Sequence, residues 1–371
     1  MASTLTWNWV TQYYLSMSTN WGTVTPTSGW FDAGSAVSIH AYPASVVEGE
    51  RGIWLGWAGS GTGSYSGTSN PVSISMNGPV SEVAQWDHQF RLIVYNDRPF
   101  GDPEPEVGEH WYTVGTNINA SIDSLANETE DERLRVTGFT GTGSVPSSSS
   151  NVHVSFNITA PSTITWHWAR QYLLTTSTNY GTVNPTTSWR DSNTVVSIEA
   201  TPPSTIEGER YQWLGWEGTG SGSFSGDLNP ANVTMLSPIT EQASWNHQYR
   251  LQVNSSVEAV TPPVGDQWFD AGTTIDGSAD SLVYVDETAR YFCVGYQGTG
   301  SLGNGTDNHF TFTINSPSSV TWLWTSQYQF TVDDGGHGAP SPPEGITWHD
   351  DGTLLSGHIN NYESTTNPVS Y

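Results

Sequence analysis

The sequence predicts an all-β protein made of tandem copies of one small module, on three observations. The first is a repeat. A Gln-aromatic pair falls at 12/13, 89/90, 171/172, 248/249 and 327/328, so the same phrase returns after 77, 82, 77 and 79 residues. Self-similarity at one period marks a tandem array rather than one large domain. The second is composition: 18 Trp, 16 Tyr and 11 Phe give small modules the dense aromatic cores they need, together with their neighbours, to be stable. The third is patterning. Long apolar-periodic segments are missing, and β-branched and aromatic residues stand in short runs between Gly, Ser, Thr, Asn and Pro, as in short strands joined by turns.

The period divides the chain into a lone closing strand at 1–11, repeat one at 12–88, repeat two at 89–170, repeat three at 171–247, repeat four at 248–326 and an incomplete repeat five at 327–371. Within repeat one, strands are expected at Tyr13–Ser18, Ala36–Ala41, Ile53–Trp57, Val72–Met76 and Glu82–Trp86, with a Gly-Thr-Val segment at 22–24. Val37, Ile39 and Ala41 alternate with Ser38 and His40, the mark of a half-buried strand. Between these lie Trp30–Gly34, the polar loop Glu48–Arg51 and a Gly/Ser loop at 59–69. Six short strands per copy suggest a small sandwich or barrel, Ig-like or β-grasp-like, and five such beads in line suggest an elongated rod. Repeat three follows repeat one closely, and repeat four resembles repeat two, so the larger unit is a pair. The residue two before the closing Trp supports the pairing, since it runs Trp7, Ala84, Trp166, Ala243, Trp322 and suggests two kinds of junction.

Three slots recur at fixed offsets. Trp30, Trp111, Trp189, Trp268 and Trp348 read as core tryptophans, each followed four residues later by Gly or, once, Asn193, the residues that tolerate a left-handed turn. Asp32, Asp191, Asp270 and Asp350 in that turn read as capping acids. Arg51, Arg133, Arg210 and Arg290 always stand six residues before Trp57, Phe139, Trp216 and Tyr296. An even spacing on a strand puts guanidinium and ring on one face, so stacking or an ion pair with a nearby acid is expected to order the adjoining loop. The Gly-rich loop after each ring has no helix or Lys behind it and reads as a turn, not a phosphate cradle.

These slots resemble a known family. The pattern QY-x-L, GTV-x-P, W-x-D-x-G, V-x-I, GW-x-G-x-G and W-x-x-QY, carried by Gln12–Tyr13, Gly22–Pro26, Trp30–Gly34, Gly56–Gly61 and Trp86–Phe90 and by their repeats, is similar to the divergent internalin-type B repeat of cell-surface proteins. The resemblance covers nearly the whole chain, and repeats two and four depart from it in the GTV-x-P segment (FGDPEPE, VEAVTPP). It implies stalks, spacers, adhesin parts or envelope layers, and supplies no catalytic residues.

Charge and chemistry narrow the function. Ten Arg, no Lys and 36 acidic residues give a net charge of −26, which repels phosphate backbones and anionic lipid, so nucleic acid is not an expected partner. Without Lys there is no Lys–Asn crosslink, Schiff base or P-loop. Cys293 stands in the slot of Trp54 and Trp213 and reads as a buried thiol. No apolar run is long enough to span a membrane, no signal-peptide pattern follows Met1, and the chain reads as an excerpt of a longer array. The His residues are scattered without HExxH, and His88 and His247 share a junction slot that they are expected to fill. No nucleophile elbow is present and no enzyme is expected. No cofactor is expected beyond a possible calcium ion, for which Asp102, Glu104, Glu106 and Glu109, or Glu128, Glu130, Asp131 and Glu132, offer oxygen donors. Sequons at Asn119, Asn127, Asn157, Asn232, Asn254 and Asn304 suggest an exported glycoprotein.

The function expected is therefore structural and extracellular: a stalk, envelope-layer component or filament subunit of the cell surface. The alternatives are a carbohydrate-binding adhesin, or accessory repeats of a larger surface enzyme. Other surface proteins or glycans are expected partners, and self-association head to tail is expected through Thr4, Leu5, Thr6, Trp7 and Trp9, read as a strand that completes the unfinished repeat of another copy.

Overall fold

A computed structural model describes residues 1–127, 129–336 and 338–360, and among them it contains thirty strands and no helix. By its contacts the chain divides into two units. The first comprises Met1–Leu173 with Trp189–Thr194 and Met235–Pro238, and the second comprises Leu174–Ser188, Val195–Thr234 and the described residues from Ile239 onward.

In the first unit, module one contains β1 (Gln12–Thr19), β2 (Thr23–Thr25), β3 (Gly29–Asp32), β4 (Ala36–Tyr42), β5 (Glu50–Ser60), β6 (Val72–Ser75) and the first half of β7 (Val80–Asn96). They form a sandwich. One sheet runs β3–β1–β7–β5, with β1 and β7 parallel and the other pairs antiparallel. The second sheet runs β2–β4–β6. Leu15, Met17, Val37, Ile39, Ala41, Trp57, Ile74 and Trp86 meet between the sheets. The expected alternation in β4 holds, with Val37, Ile39 and Ala41 inside. Glu50 and Arg51, expected in a loop, begin β5 instead, and Gly29–Asp32 is a strand, which makes seven strands rather than six.

No linker separates this module from the next. β7 runs unbroken for 17 residues, and its inward positions keep one parity from Val80 through Trp86 to Phe90, Leu92 and Val94. Its second half therefore opens module two, with β8 (Gly108–Thr113), β9 (Asn117–Ser121), β10 (Leu125–Asn127), β11 (Glu132–Thr142), β12 (Ser148–Ser149), β13 (His153–Asn157) and the first half of β14 (Ser162–Thr178). The sheet order repeats as β8–β7–β14–β11 opposite β9–β13. The divergent segment of module two keeps its edge position, since Glu104 bridges to Ser121.

Beyond these lie β15 (Thr182–Asn184), β16 (Ser188–Asp191), β17 (Val195–Thr201), β18 (Glu209–Thr219), β19 (Ala231–Thr234), β20 (Ile239–Asn254), β21 (Val260–Thr261), β22 (Gly265–Asp270), β23 (Thr274–Ala279), β24 (Leu282–Tyr284), β25 (Ala289–Thr299), β26 (His309–Thr313), β27 (Ser318–Val332), β28 (Ala339–Ser341), β29 (Gly345–Asp350) and β30 (His358–Asn360). Within the second unit β20 and β27 are again through-strands. Each pairs in parallel with an opening strand and antiparallel with β18 or β25. Val260–Thr261, in the other divergent segment, pairs with β23 as β2 pairs with β4.

The alternation of Trp and Ala in the closing strands is a matter of core volume, not of two kinds of junction. Ala84 is the cross-strand partner of Trp57, and Ala243 of Trp216. Trp166 instead faces Phe139, and Trp322 faces Tyr296, with edge-to-face contacts at 5.3 and 5.5 Å. A larger ring on one strand is matched by a smaller side chain on the other, as interiors packed to crystal density require.

The modules with Ala also bury a carboxyl. Glu82 and Glu241 are fully buried where modules two and four have Ile164 and Val320. Each accepts one backbone N–H at 2.7 Å, from Tyr65 and Phe224 respectively. Burial pushes both carboxyls above their usual value, the backbone bond opposing it only in part. A carboxyl raised in the folded state favours folding while protonated, and that contribution is lost as pH rises from the ordinary value of 4.5 through the raised one. The Tyr65 amide is therefore expected to exchange faster as pH rises through this window, after correction for intrinsic exchange. Glu82→Gln should flatten that slope, and a slope unchanged in the variant would show the carboxyl to be uninvolved.

Thr4–Trp9 corrects an expectation: residues 1–11 form no strand. Leu5, Trp7 and Trp9 are 79%, 75% and 92% exposed. The equivalent Val80–Trp86 is ordered by ladders on both edges, from β1 and β5, and no described residue offers such ladders to Thr4–Trp9. An isolated extended segment has no partner for its backbone groups.

The repeated joint as the candidate functional site

The site is built where one module's through-strand becomes the next module's opening strand, and it begins with a bulge. Register shifts in β5 between Trp54 and Gly56, and likewise at Val136/Gly138, Trp213/Gly215 and Cys293/Gly295. The glycine after each shift has φ between +125° and +131°, which a side chain would resist. One extra residue reverses the parity beyond it. Trp54 and Trp57, three apart, consequently both face the core and touch at 5.7 Å, while Arg51 faces outward. The even spacing of Arg and ring does not put them on one face, and the expected stacking of Arg51 on Trp57 does not occur.

Arg51 stacks instead on the following module's Trp111, its guanidinium carbon 4.1 Å from the ring centre. The same contact joins Arg133 to Trp189 at 4.4 Å, Arg210 to Trp268 at 4.3 Å and Arg290 to Trp348 at 4.3 Å. The Trp slot is thus not core. Trp30, over which no Arg lies among the described residues, is 65% exposed, and the residue after it does the inward packing: Phe31, Tyr112, Phe269. The rings six residues beyond each Arg are the core aromatics, with Trp57, Phe139 and Trp216 buried and Tyr296 half-buried.

Between Arg and Trp lies the Gln that counts the repeats. Gln89 Oε1 accepts from Arg51 Nε at 2.8 Å, and Gln171, Gln248 and Gln327 accept in the same way from Arg133, Arg210 and Arg290 at 2.8, 2.8 and 2.9 Å. The other end of the Gln donates to the acid of the W-x-D turn in four of the five copies: Gln12 to Asp32 at 2.9 Å, Gln171 to Asp191 at 2.7 Å, Gln248 to Asp270 at 2.8 Å and Gln327 to Asp350 at 2.9 Å. These acids orient Gln side chains rather than capping their turns, whose left-handed positions are nevertheless as expected, with Gly34 at φ +82° and Asn193 at +64°. The bonds from Gln248 and then Asn246 hold Asp270 below the usual carboxylate range. Module two has Thr113 in the acid's place. There Asp87 substitutes, accepting from both Gln89 and Thr113.

A second contact flanks the first three sets. His88 pairs with Glu50 at 2.7 Å, Arg170 with Glu132 at 2.9 Å and His247 with Glu209 at 2.7 Å. At the fourth joint the same two slots hold Ser326 and Ala289, so cation and anion are lost together, and Tyr284 bonds Arg290 instead. His88 and His247 thus sit in the joint, stacked on Trp21 at 5.3 Å and Tyr211 at 4.5 Å. The loop before β5 completes the first joint: Gly49 O accepts the Arg91 amide, and the Arg91 guanidinium pairs with Glu48 and Glu109 at 3.1 Å each. Arg250 does the same with Glu207 and Asp266.

The remaining candidates lie apart. Asp102, Glu104, Glu106, Glu130 and Asp131 are exposed and are not brought together; Glu109 and Glu132 are held by arginines, and Glu128 lies outside the described residues. Among the described residues the one group whose carboxylate oxygens lie within 4.8 Å of one another is Asp333, Asp334 and Glu344, which the sequence did not single out. Asn119, Asn157, Asn232 and Asn304 are exposed and Asn254 is half-buried; the Asn127 side chain lies outside the described residues. Cys293 is buried and its thiol is pushed up by that burial. An open cleft of about 450 Å³ beside Asn96, Phe100 and Asp102 is formed by the insertion in module two. No described helix is long and apolar enough to cross a membrane.

Fold and joint define a class of protein: an array of one small β-sandwich, strung on strands that consecutive copies share. Residues 172–248, which coincide with module three, match the divergent InlB B-repeat domain. The suspected B-repeat family is thereby met at this module, and the same slots recur in the copies on either side. Neither a curated protein nor a solved structure matches the chain.

Proposed function

We propose that the chain is a non-catalytic structural protein of the cell surface, a stalk or envelope-layer component whose repeats hold neighbouring modules in fixed register. The reading rests on one observation: the residues kept in every complete repeat are spent on joining modules, through the Arg–Trp stack and the Gln beneath it, in a chain whose third module is a B-repeat. A surface made acidic by a net charge of −26 suits repeats that must stay soluble and apart, and the exposed sequon asparagines suit a glycosylated exterior.

Labelling intact cells of the source organism with an antibody against the chain, alongside an intracellular control, tests this. Surface label removed by external protease is expected. Label appearing only after the cells are opened would overturn the proposal.

A further inference from the structure

Each module is entered by one strand and left by another, and in modules one to four these two strands lie side by side and parallel. β1 pairs with β7 from Leu15 opposite Val80 to Thr19 opposite Ala84. β7 then pairs with β14 from Leu92 opposite Ser162 to Asn96 opposite Trp166. The pattern returns between β14 and β20 over Leu174–Thr178 and between β20 and β27 over Leu251–Asn254. The chain reaches the ladder of module one from Gln12 and leaves it toward Gln89, so the two attachments lie at opposite ends of the ladder. Tension along the chain therefore slides β1 and β7 lengthwise past each other and loads the ladder bonds together. Between antiparallel strands the same pull would peel the bonds one at a time.

Side chains close each ladder at the same place, the closing Trp. Just beyond Thr19, Asn20 Nδ2 donates to the Trp86 carbonyl at 2.8 Å and Asn20 Oδ1 accepts the Trp86 amide at 2.9 Å. The side-chain amide acts as one more strand residue would. Asn179 makes the same two bonds with Trp245, at 2.8 and 2.9 Å. Modules two and four have Asp97 and Ser256 in that slot and hold the equivalent Trp by its indole instead. Trp168 Nε1 donates to Asn96 at 2.7 Å, and Trp324 Nε1 donates to Ser255 at 2.9 Å. A contact kept at one position by two different chemistries marks it as a requirement of the array rather than of one loop.

We infer that the array bears tension along the chain, each of modules one to four acting as a clamp loaded in shear between its opening and closing strands, with Asn20 and Asn179 locking the clamps of modules one and three. The inference rests on the structural reading above and gives that structure a mechanical task. Under load the rate of rupture governs survival, not equilibrium stability. A ladder whose bonds must break together holds longer than the modest net stabilisation of each bond suggests.

The test is single-molecule force spectroscopy of the full chain in two pulling directions at one loading rate. In the first the chain is held by tags at its two ends. In the second it carries Ser18→Cys and Gln85→Cys and is held by those thiols; both positions are exposed, while Cys293 is buried. Pulled by its ends, the chain should show a rupture for each of modules one to four, each releasing about 80 residues at ~3.6 Å apiece. Pulled crosswise, the ladder of module one opens from Thr19 toward Leu15 bond by bond, at no more than about half the force. At a fixed end-to-end force, Asn20→Ala should shorten the lifetime of one module about tenfold, and adding Asn179→Ala should do the same to a second. Equal rupture forces in the two directions, or lifetimes unchanged by Asn20→Ala, would overturn the clamp. Should Asn20→Ala leave module one unfolded, seen as a missing rupture, the two pulling directions on chains that keep Asn20 still decide. Surface labelling reads none of these quantities, so the two readings fail separately.

Discussion

Replacing Trp166 by Ala is expected to destabilise module two by about 3–5 kcal/mol, the range for emptying a large aromatic site in a core that cannot collapse around it. Trp166 is fully buried and lies edge-on against Phe139. Module one offers the complementary experiment, because its Trp57 already fills the space that Trp166 takes in module two. Ala84→Trp alone should cost about 1–3 kcal/mol by overpacking. Combining it with Trp57→Phe recreates the pairing of module two and should recover most of that loss. Modules of an array need not unfold together, so exchange of amides within the altered module is the proper readout. A paired variant no more stable than Ala84→Trp alone would refute the exchange of volume between facing strands.

The second large effect is expected at the joint. Arg51→Ala removes a guanidinium stacked on Trp111 and a charged hydrogen bond to Gln89. A stack of this kind contributes about 0.5–2 kcal/mol and a hydrogen bond to a charged group about 1.5–3 kcal/mol. Because the side chain is partly solvated, a total near the lower end, about 2–3 kcal/mol, is expected. Arg51→Lys should restore little of it. An ammonium has no planar face to lay on the indole and no second donor fixed, as Nε–H is, toward the amide of Gln89 on the neighbouring strand. Thermal unfolding of the three proteins, followed by tryptophan fluorescence, measures the difference. A lysine variant as stable as the parent would mean that charge alone suffices.

Much of the fold was legible in the sequence because the array repeats itself: a slot filled five times reveals its constraint without any second protein. Gly-or-Asn four residues after the Trp indicated a left-handed turn, and Gly34 and Asn193 adopt one. Alternation in Val37–Ala41 indicated which face is buried. One misreading follows from a single added residue. The bulge at Leu55 inverts parity, so simple counting placed Arg51 on the face of Trp57. Trp30 and its repeats were read as core because nothing in their slot discloses that, from Trp111 on, an Arg of the preceding module covers the ring. Gln12 and its repeats, invariant in every copy, served only as a marker, although an amide kept where the neighbours vary signals a bond at each end. The joint loss of Glu and His at Ala289 and Ser326 carried a similar signal. Glu82 gave little, since one carboxyl in a strand of polar and apolar residues does not disclose that it is enclosed.

The central claim is that the joint couples neighbouring modules, and hydrogen exchange followed by mass spectrometry on the full chain with Arg51→Ala tests it most directly. Peptides covering Glu50–Ile53 in module one and Gly108–Thr113 in module two report the two sides. The joint as described predicts that both exchange faster, by at least about tenfold, since Arg51 holds Gln89 and Trp111 together across β7. Faster exchange in the module-one peptide alone, with Gly108–Thr113 unchanged, would contradict it.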